Sequence, residues 1–309
     1  MESKKVIGEI SELLGPKGNR YFSNGYKSIE ILYGDFAQND GNLFTTIQAK
    51  SGGSWSKKNE KNMSPHLGTT EFIAIAAVMT QHLLEKEMQL SNDEIERSWI
   101  SRFVCKIKQC TEIDQHYIPV SSKVVSTEVL AGFLQSQVQI QIGTLQATLF
   151  VCHPPAGSSN QYKKDAGSIN LYQKGYKLRD LSIYDVVLDR ENKTSSGNVF
   201  LYEENIQKNG IGAKYPGMIL TDLILVTGQL AQALLYNLNG KDRENSNNMW
   251  LREVDVRSDI PPREKVSNSK VTFHTINNVT KNNEIWQSIA LTCSLGNMYS
   301  KAKIAQKLN

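Results

Sequence analysis

The run PGMILTDLILVTGQLAQALLYNL, residues 216–238, decides the fold of this chain. After Pro216 it continues without another proline, and as an α-helix its last 22 residues would be ~33 Å long. Nearly every face of that helix is apolar, which predicts that protein encloses it on all sides. A membrane span is the alternative, but Asp222 would cost about 2.5–3.5 kcal/mol at the centre of a bilayer. A buried acid needs a partner or a function, so Asp222 is the first candidate site residue.

A second copy of this pattern lies about 150 residues earlier, in PHLGTTEFIAIAAVMTQHLL, residues 65–84. The copies align without a gap, so that the two prolines coincide and Glu71 falls on Asp222. An acid six residues after the proline and a glutamine ten residues after the acid recur in both copies. These matches favour an internal duplication. We therefore expect two equivalent buried helices, at residues 67–86 and 217–238.

The composition of the 309-residue chain is that of a soluble globular protein, with 39% hydrophobic and 21% charged residues. The net charge of +4 is too small to indicate nucleic-acid binding. The N-terminal residues lead into no apolar run, which predicts no signal peptide. Four cysteines form no Cys-x-x-Cys pair, so we expect reduced thiols and a cytoplasmic location.

Strand patterns surround each predicted helix, and the richest turn-forming segment, from Pro154 onward, separates them. Residues 5–14 are predicted to form a short amphipathic helix. The last segment, residues 298–305, fits either a strand or a helix. The predicted architecture is α+β, in which an antiparallel sheet wraps around one long buried helix in each half. The expected divisions are an N-terminal half at 1–155, a linker at 156–176 and a C-terminal half at 177–309.

A helix that begins with Pro-Gly and carries an acid six residues after the proline, gripped by an antiparallel sheet, resembles the hot-dog fold of acyl-thioester dehydratases. The resemblance implies a double, tandem hot-dog chain. Those dehydratases also have a histidine eight residues before the proline. This sequence has Lys57 and Lys208 at those positions, which is a departure from the dehydratase pattern.

A closer resemblance covers most of the chain. The segments GNRYF at 18–22, WSKK at 55–58, PHL at 65–67 and QLAQALLYNLNGKDRENSNNMWLR at 229–252 are similar to the avirulence D (AvrD) family. The resemblance implies a relation to the A-factor synthase (AfsA-type) family, which also uses tandem hot-dog units. It further implies synthesis of an acyl glycoside, a syringolide, from a β-ketoacyl chain and a pentulose, or of a butanolide-like signal.

The two matched acids are the first candidates for catalysis. Asp222 and Glu71 lie in the first turns of their helices, where a carboxylate either complements the helix dipole or acts as a general acid or base. The amides near Gly217 and Met218, and those near Leu67, are candidates to hold an oxyanion.

His66 adjoins the first helix start, where it either caps the helix or transfers protons. Because hot-dog sites form between two units, we expect His66 to lie near Asp222, or Glu71 to face Arg252.

Basic and aromatic side chains supply the candidate binding residues. The guanidinium groups of Arg243 and Arg252 suit a phosphate or sugar phosphate, and Trp250 shares a strand face with Arg252. The remaining candidates, expected to line the entrance, are Arg20, Tyr21, Trp55 and Lys58. The histidines show no ligand spacing, so we predict no metal site. Cys152-His153 is a weak candidate for a nucleophilic pair.

The favoured function is an enzyme that joins a β-ketoacyl group to a sugar or small polyol. An acyl-carrier-protein or coenzyme A thioester is the expected co-substrate, and no bound cofactor is predicted. The alternative is a non-catalytic module that binds a fatty acyl ligand. The expected partners are small molecules and an acyl carrier protein, with no nucleic acid and no membrane span; a homodimer and a monomer both remain open.

Overall fold

The structure, a computed structural model, describes residues 3–107, 111–113, 117–158 and 167–308 of the chain. Residues 159–166 of the expected linker lie outside the described residues, as do Cys110 and His116.

The helices of the described residues are few. The two long ones are α2 (Thr69–Lys86) and α4 (Leu220–Asn239), and the two short ones are α1 (Ser11–Leu14) and α3 (Asn92–Glu96). Single 3-10 turns occur at Lys17–Asn19, Gly25–Ser28 and Gly175–Leu178.

Strands make up most of the remaining chain. Those before the Pro154 segment are β1 (Lys4–Glu9), β2 (Ile29–Tyr33), β3 (Ala37–Asn39), β4 (Asn42–Ser51), β5 (Lys57–Lys58), β6 (Lys61–Asn62), β7 (His66–Leu67), β8 (Trp99–Lys106), β9 (Thr111–Glu112), β10 (Ile118–Leu130), β11 (Phe133–Ile142) and β12 (Leu145–His153). Those after it are β13 (Ile169–Asn170), β14 (Arg179–Asp189), β15 (Thr194–Glu203), β16 (Lys208–Asn209), β17 (Met249–Ser258), β18 (Val266–Lys281), β19 (Glu284–Leu295) and β20 (Met298–Lys307).

One antiparallel sheet of 14 strands carries both halves of the described chain. Its order is β1-β14-β15-β18-β19-β20-β17-β8-β12-β11-β10-β4-β2, with β3 paired to β4. The order β2-β4-β10-β11-β12-β8 of the first half is repeated by β14-β15-β18-β19-β20-β17 of the second. The halves join edge to edge where β17 pairs with β8, with Val254 opposite Cys105. This repeated strand order is what an internal duplication predicts.

The two long helices lie within the core. From Thr69 to Thr80 every residue of α2 is buried, and so is every residue of α4 from Leu220 to Ala231. Each fully buried Leu or Ile side chain contributes about 1.5–3 kcal/mol to stability. The absence of a polar face along most of each helix follows from this enclosure. The helices also contact each other, so the two halves share one core.

The prediction of a helix at residues 5–14 is wrong. Residues 4–9 form β1, which pairs with β14 of the second half and covers its edge. Only Ile7 of this strand is buried, so its apolar content was too low to show a period of two. The helical part is confined to α1. At the other end of the chain, residues 298–307 form a strand, which settles the open choice between strand and helix.

A glycine in α4 lets the first half approach this helix closely. A Cβ atom added to Gly228 would lie 2.6 Å from the ring of Phe22. That ring stands edge-on against Tyr21, with 5.1 Å between the centroids. Gly228 therefore allows close packing between the halves, although glycine is a poor helix former.

We expect Gly228→Ala to lower the free energy of unfolding. Alanine is the better helix former by about 1 kcal/mol, but an overpacked core loses about 1–3 kcal/mol, and Tyr21 restricts the retreat of Phe22. Denaturant midpoints measure the change. Gly18→Ala is the control, because a Cβ atom there meets nothing within 4 Å. A Gly228→Ala protein more stable than the wild type would contradict this account of the packing.

Candidate functional site

The two matched acids cap their helices in the same way. Oε2 of Glu71 accepts a hydrogen bond from the backbone N–H of Gly68 at 2.8 Å. Oδ2 of Asp222 accepts one from the backbone N–H of Ile219, also at 2.8 Å. Each acid is the third residue of its helix and satisfies a donor at the N-cap that the helix cannot. The sequence match between the two acids therefore corresponds to a structural equivalence.

Asp222 forms a buried ion pair. Its Oδ2 accepts a hydrogen bond from a guanidinium nitrogen of Arg179 at 2.7 Å, and both side chains are buried. Arg179 also donates to the carboxylate of Glu203 at 2.8 Å and to the backbone carbonyl of Gly217 at 2.8 Å. Burial alone lowers the pKa of Arg179, but the two carboxylates outweigh burial and raise that pKa above its ordinary value. Asp222 is thus held as the partner of a buried cation.

Glu71 has a different partner. Its Oε2 accepts a hydrogen bond from the hydroxyl of Tyr21 at 2.6 Å, while Oε1 has no hydrogen-bond partner among the described residues. Burial raises the pKa of Glu71, and the hydrogen bonds from Tyr21 and Gly68 offset this only in part. Burial and the nearby Glu71 carboxyl also raise the pKa of Tyr21 well above its ordinary value.

A cavity of about 120 Å³ opens at the start of α2. Gly68, Thr69 and Tyr21 line it, so the residue whose hydroxyl donates to Glu71 is part of the cavity lining. A Cβ atom added to Gly68 would lie 2.0 Å from that hydroxyl, which explains the glycine. The cavity brings together residues predicted from both halves of the sequence: Arg20, Tyr21, Trp55, His66, Arg243, Trp250 and Arg252.

His66 lies in an aromatic stack that crosses between the halves. Its ring centroid is 4.3 Å from that of Trp55 and 5.4 Å from that of Trp250. Burial lowers the pKa of His66, only partly offset by a backbone hydrogen bond at Ser64, so the neutral imidazole is favoured near pH 7. His66 was expected near Asp222 at the helix start of the second half; its ring contacts Trp250 of β17 instead.

Positive charge collects on one side of the cavity. Arg20, Lys58 and Arg243 all line it. Burial and the charge of Arg243 lower the pKa of Arg20 to about 10, and the same two causes lower the pKa of Lys58 to about 8. These cations repel one another, which marks the site as suited to an anion.

Gly217 and Met218 were predicted to hold a ligand, but their backbone amides form hydrogen bonds with other parts of the chain. The N–H of Gly217 donates to the carbonyl of Pro262 at 3.2 Å, and that of Met218 to the carbonyl of Glu264 at 2.9 Å. A Cβ atom on Gly217 would lie 2.4 Å from the backbone nitrogen of Arg263, so the glycine accommodates the protein's own chain. Among the described residues, neither amide lines the cavity at α2, and Asp222 does not either.

Arg179 is the site residue that reasoning from sequence missed. Gly25-Tyr26-Lys27 recurs as Gly175-Tyr176-Lys177, and both copies form a 3-10 turn that leads into a strand. In this alignment of the two halves, Arg179 falls at the position that Ile29 occupies in the first half. Aligning the two tripeptides would therefore have shown that only the second half carries a cation at this position.

Other candidates do not form a second site. Ring nitrogens of His153 lie 2.9 Å from the hydroxyl of Ser136 and 2.9 Å from the carbonyl of Pro154, and burial raises the pKa of the Cys152 thiol. The pair Cys152-His153 therefore lacks an activated thiolate.

The described part of the chain holds no cluster of three or more His, Cys, Asp or Glu side chains suited to a metal. Nor do these residues include a helix with the length and apolar content to cross a membrane.

The model of the Pseudomonas avirulence D protein (AvrD) family matches residues 5–309. The chain belongs to this family. The resemblance drawn from the sequence motifs is thereby confirmed for AvrD, whereas the relation to the A-factor synthase family stays a prediction. No curated protein matches the chain.

Solved structures of thioesterases and dehydratases are distantly similar to this AvrD-family chain. An acyl-CoA thioesterase II of Mycobacterium marinum is 8% identical with a TM-score of 0.41, over 89% of this chain and 95% of its own. The dehydratase domain of RzxB from Pseudomonas fluorescens is 11% identical with a TM-score of 0.40, over 88% and 95%. At TM-scores below 0.5, these likenesses support no conclusion about activity.

The two acids should respond differently to neutralisation. Asp222→Asn leaves Arg179 without a buried charge partner, so we expect the free energy of unfolding to fall by about 3–5 kcal/mol. Glu71→Gln retains a carbonyl oxygen that accepts from Tyr21 and Gly68, and we expect a change of about 1 kcal/mol or less. Chemical denaturation measures both. Equal losses would show that the acids have the same structural role.

The pH dependence of stability gives a second test. Since burial raises the pKa of Glu71 in the folded state, the stability tied to its neutral form is fully present below the unfolded pKa. That stability is lost as the pH rises through the folded pKa. The glutamine side chain of the Glu71→Gln variant does not ionise, so the variant should gain stability relative to the wild type between acidic and neutral pH. A constant difference between the two proteins would contradict a raised pKa.

Proposed function

We propose that this AvrD-family chain is a tandem hot-dog enzyme that transfers a β-ketoacyl group from a thioester to a sugar or small polyol, with its working site at the start of α2. The observation that carries this proposal is the hydrogen bond between Tyr21, in the cavity wall, and the buried Glu71. The proposed units are residues 1–155 and 177–309, joined by 156–176. The repeated strand order supports this division.

The start of α2 supplies a site for the thioester carbonyl. Thr69 and Thr70 occupy the first two helical positions, whose N–H groups have no acceptor within the helix. Thr69 lines the cavity. These amides would stabilise the oxyanion that forms when the acceptor hydroxyl attacks the carbonyl carbon.

Tyr21 and Glu71 would handle the proton. As the acceptor hydroxyl attacks, its proton would pass to the oxygen of Tyr21 while the Tyr21 proton passes to Oε2 of Glu71. The raised pKa of Glu71 makes its carboxylate a stronger base than an ordinary one. When the tetrahedral intermediate collapses, the C–O ester bond remains, the C–S bond breaks, and the proton returns along the same path to the leaving thiolate. The products are an ester and a free thiol.

The neutral His66 and the aromatic rings beside it would orient the acceptor. Trp55 and Trp250, which line the cavity, would supply aromatic surface to a sugar, and the imidazole would offer one donor or acceptor to a second hydroxyl. Since Trp250 and Arg252 come from the second half, the site needs both halves of the chain.

The start of α4 would not catalyse the reaction. There the equivalent acid, Asp222, is bound by Arg179, and the N–H groups of Gly217 and Met218 just before the helix donate to backbone carbonyls. The Oδ2 of Asp222 already accepts from the guanidinium of Arg179 and from the N–H of Ile219. We infer that duplication left one working site, at α2, and one structural counterpart, at α4.

A module that only binds a fatty acyl chain is the competing function. Such a binder needs a deep apolar tunnel, whereas arginines and a lysine line the α2 cavity.

The proposed donor is a coenzyme A or acyl-carrier-protein thioester, with that carrier protein as partner, and the proposed product resembles a syringolide or butanolide. A cytoplasmic location fits these substrates, and assembly as a homodimer is a further part of the proposal.

The reaction can be measured directly. Purified protein, β-ketodecanoyl-coenzyme A and a pentulose should release free thiol and yield an ester visible by mass spectrometry. We expect Glu71→Gln and Tyr21→Phe each to reduce the rate by about 10²–10⁴-fold, the usual contribution of a general acid or base. Glu85→Gln is the matched control, because Glu85 lies on the same helix but away from the cavity.

Each contrary outcome is informative. Equal thiol release with and without the pentulose would identify a thioesterase rather than a transferase. Saturable acyl binding without turnover, unaffected by Tyr21→Phe, would favour the binding module.

A further inference from the structure

The charges around the α2 cavity are unbalanced. Four cationic side chains line it, those of Arg20, Lys58, Arg243 and Arg252, and no aspartate or glutamate does so among the described residues. Positive charge concentrated in a partly enclosed site is unfavourable unless an anion completes it. The excess of positive charge therefore indicates an anionic ligand.

The buried cations are held in place by mostly neutral groups. Arg20 donates to the side chains of Gln229 at 2.9 Å and Ser11 at 3.0 Å. Arg243 donates to the carbonyl of Asn19 at 2.7 Å and the hydroxyl of Ser56 at 3.1 Å. These bonds fix each guanidinium without neutralising it.

Two carboxylates act on the group from outside the cavity lining. Glu244 pairs with Arg243 at 3.0 Å, but its side chain is about half exposed, so solvent weakens its effect. Glu9 attracts Arg20 electrostatically. Lys58 contacts a neutral acceptor, the carbonyl of Ser246, at 2.6 Å. Burial and the charge of Arg243 lower the pKa of Lys58 to about 8, and the attraction of Glu244 offsets this only in part.

Unused hydrogen-bond donors accompany this charge. The Nε of Arg20 and the Nε1 of Trp55 are buried and have no hydrogen-bond partner among the described residues. Both residues line the cavity and are more than nine-tenths buried. A buried donor left without a hydrogen bond is unfavourable, and a ligand that brings acceptor oxygens would satisfy it.

We propose that this cation cluster, Arg20, Lys58 and Arg243, binds a phosphoryl group of the substrate. A phosphate has the charge and the several acceptor oxygens that two guanidinium groups, an ammonium group and an indole N–H require. This inference rests on the proposed function and deepens it: the sugar or polyol acceptor is a phosphomonoester rather than a neutral sugar. The ring faces of Trp55 and Trp250 would then contact the carbon chain of the same molecule.

A phosphoryl group has a second source in the coenzyme A donor, and binding measurements distinguish the two. Isothermal titration calorimetry of the full chain would compare D-ribulose 5-phosphate with D-ribulose, and coenzyme A with pantetheine. We expect ribulose 5-phosphate to bind and ribulose to bind at least about tenfold more weakly, the ratio for a loss of about 1.4 kcal/mol. Coenzyme A binding in place of ribulose 5-phosphate would overturn the assignment to the acceptor and place the donor's phosphates at the cluster.

Lys58→Ala tests the cluster itself, because Lys58 is the least buried of the three cations and its loss should leave the fold intact. We expect the Kd for ribulose 5-phosphate to rise by about 10–100-fold, the loss of a charge-assisted hydrogen bond. Lys57→Ala is the control, since Lys57 adjoins Lys58 in β5 but does not line the cavity. Thermal unfolding of both variants checks that they fold.

Equal Kd values for the Lys57 and Lys58 variants, or equal affinity for ribulose and its phosphate, would overturn the proposal. Because calorimetry needs no turnover, phosphate binding can hold even if the transferase activity fails. Conversely, efficient acyl transfer to neutral ribulose would support the transferase and contradict the phosphomonoester.

Discussion

Each half of this chain buries a carboxyl group at the start of a helix that the sheet encloses. That constraint shapes the rest of the molecule, because a buried charge must be paired, hydrogen-bonded or neutralised. In the second half, Asp222 is paired with Arg179. In the first half, Glu71 has a tyrosine hydroxyl instead and a raised pKa. The same helix cap therefore gives a locked ion pair at one position and a titratable group beside a cavity at the other.

The pairing of the halves makes this asymmetry possible. Tyr26 and Tyr176, which occupy equivalent turns, stack on each other with their ring centroids 6.1 Å apart. The hydroxyl of Tyr26 donates to the carbonyl of Arg179 at 3.2 Å, so a first-half side chain supports the residue that locks the second half. Two halves of one polypeptide can differ in sequence, which two identical subunits cannot do. One helix start can thus keep an acid with a raised pKa while the other forms a buried ion pair.

The cavity depends on close approach between backbone and aromatic side chains from both halves. Gly68 leaves room for the hydroxyl of Tyr21, and Gly228 leaves room for the ring of Phe22. Trp250 reaches the cavity from β17, the strand that joins the two halves of the sheet through β8. The cavity is therefore a product of the shared core, and a single half would lack the part of the lining that Trp250 supplies.

The sequence by itself determined the two buried helices, the equivalence of Glu71 and Asp222, and the family. These follow from an apolar run without a polar face, a repeat with matched acids, and motifs long enough to be specific. Only the tertiary structure decided which acid is bonded to a cavity-lining tyrosine and which to a buried arginine. Arg179 and Asp222 are 43 residues apart, and Tyr21 and Glu71 are 50 apart, so no local pattern reports either contact. Their partners depend on strand pairing and helix packing, which bring distant side chains together through the whole core.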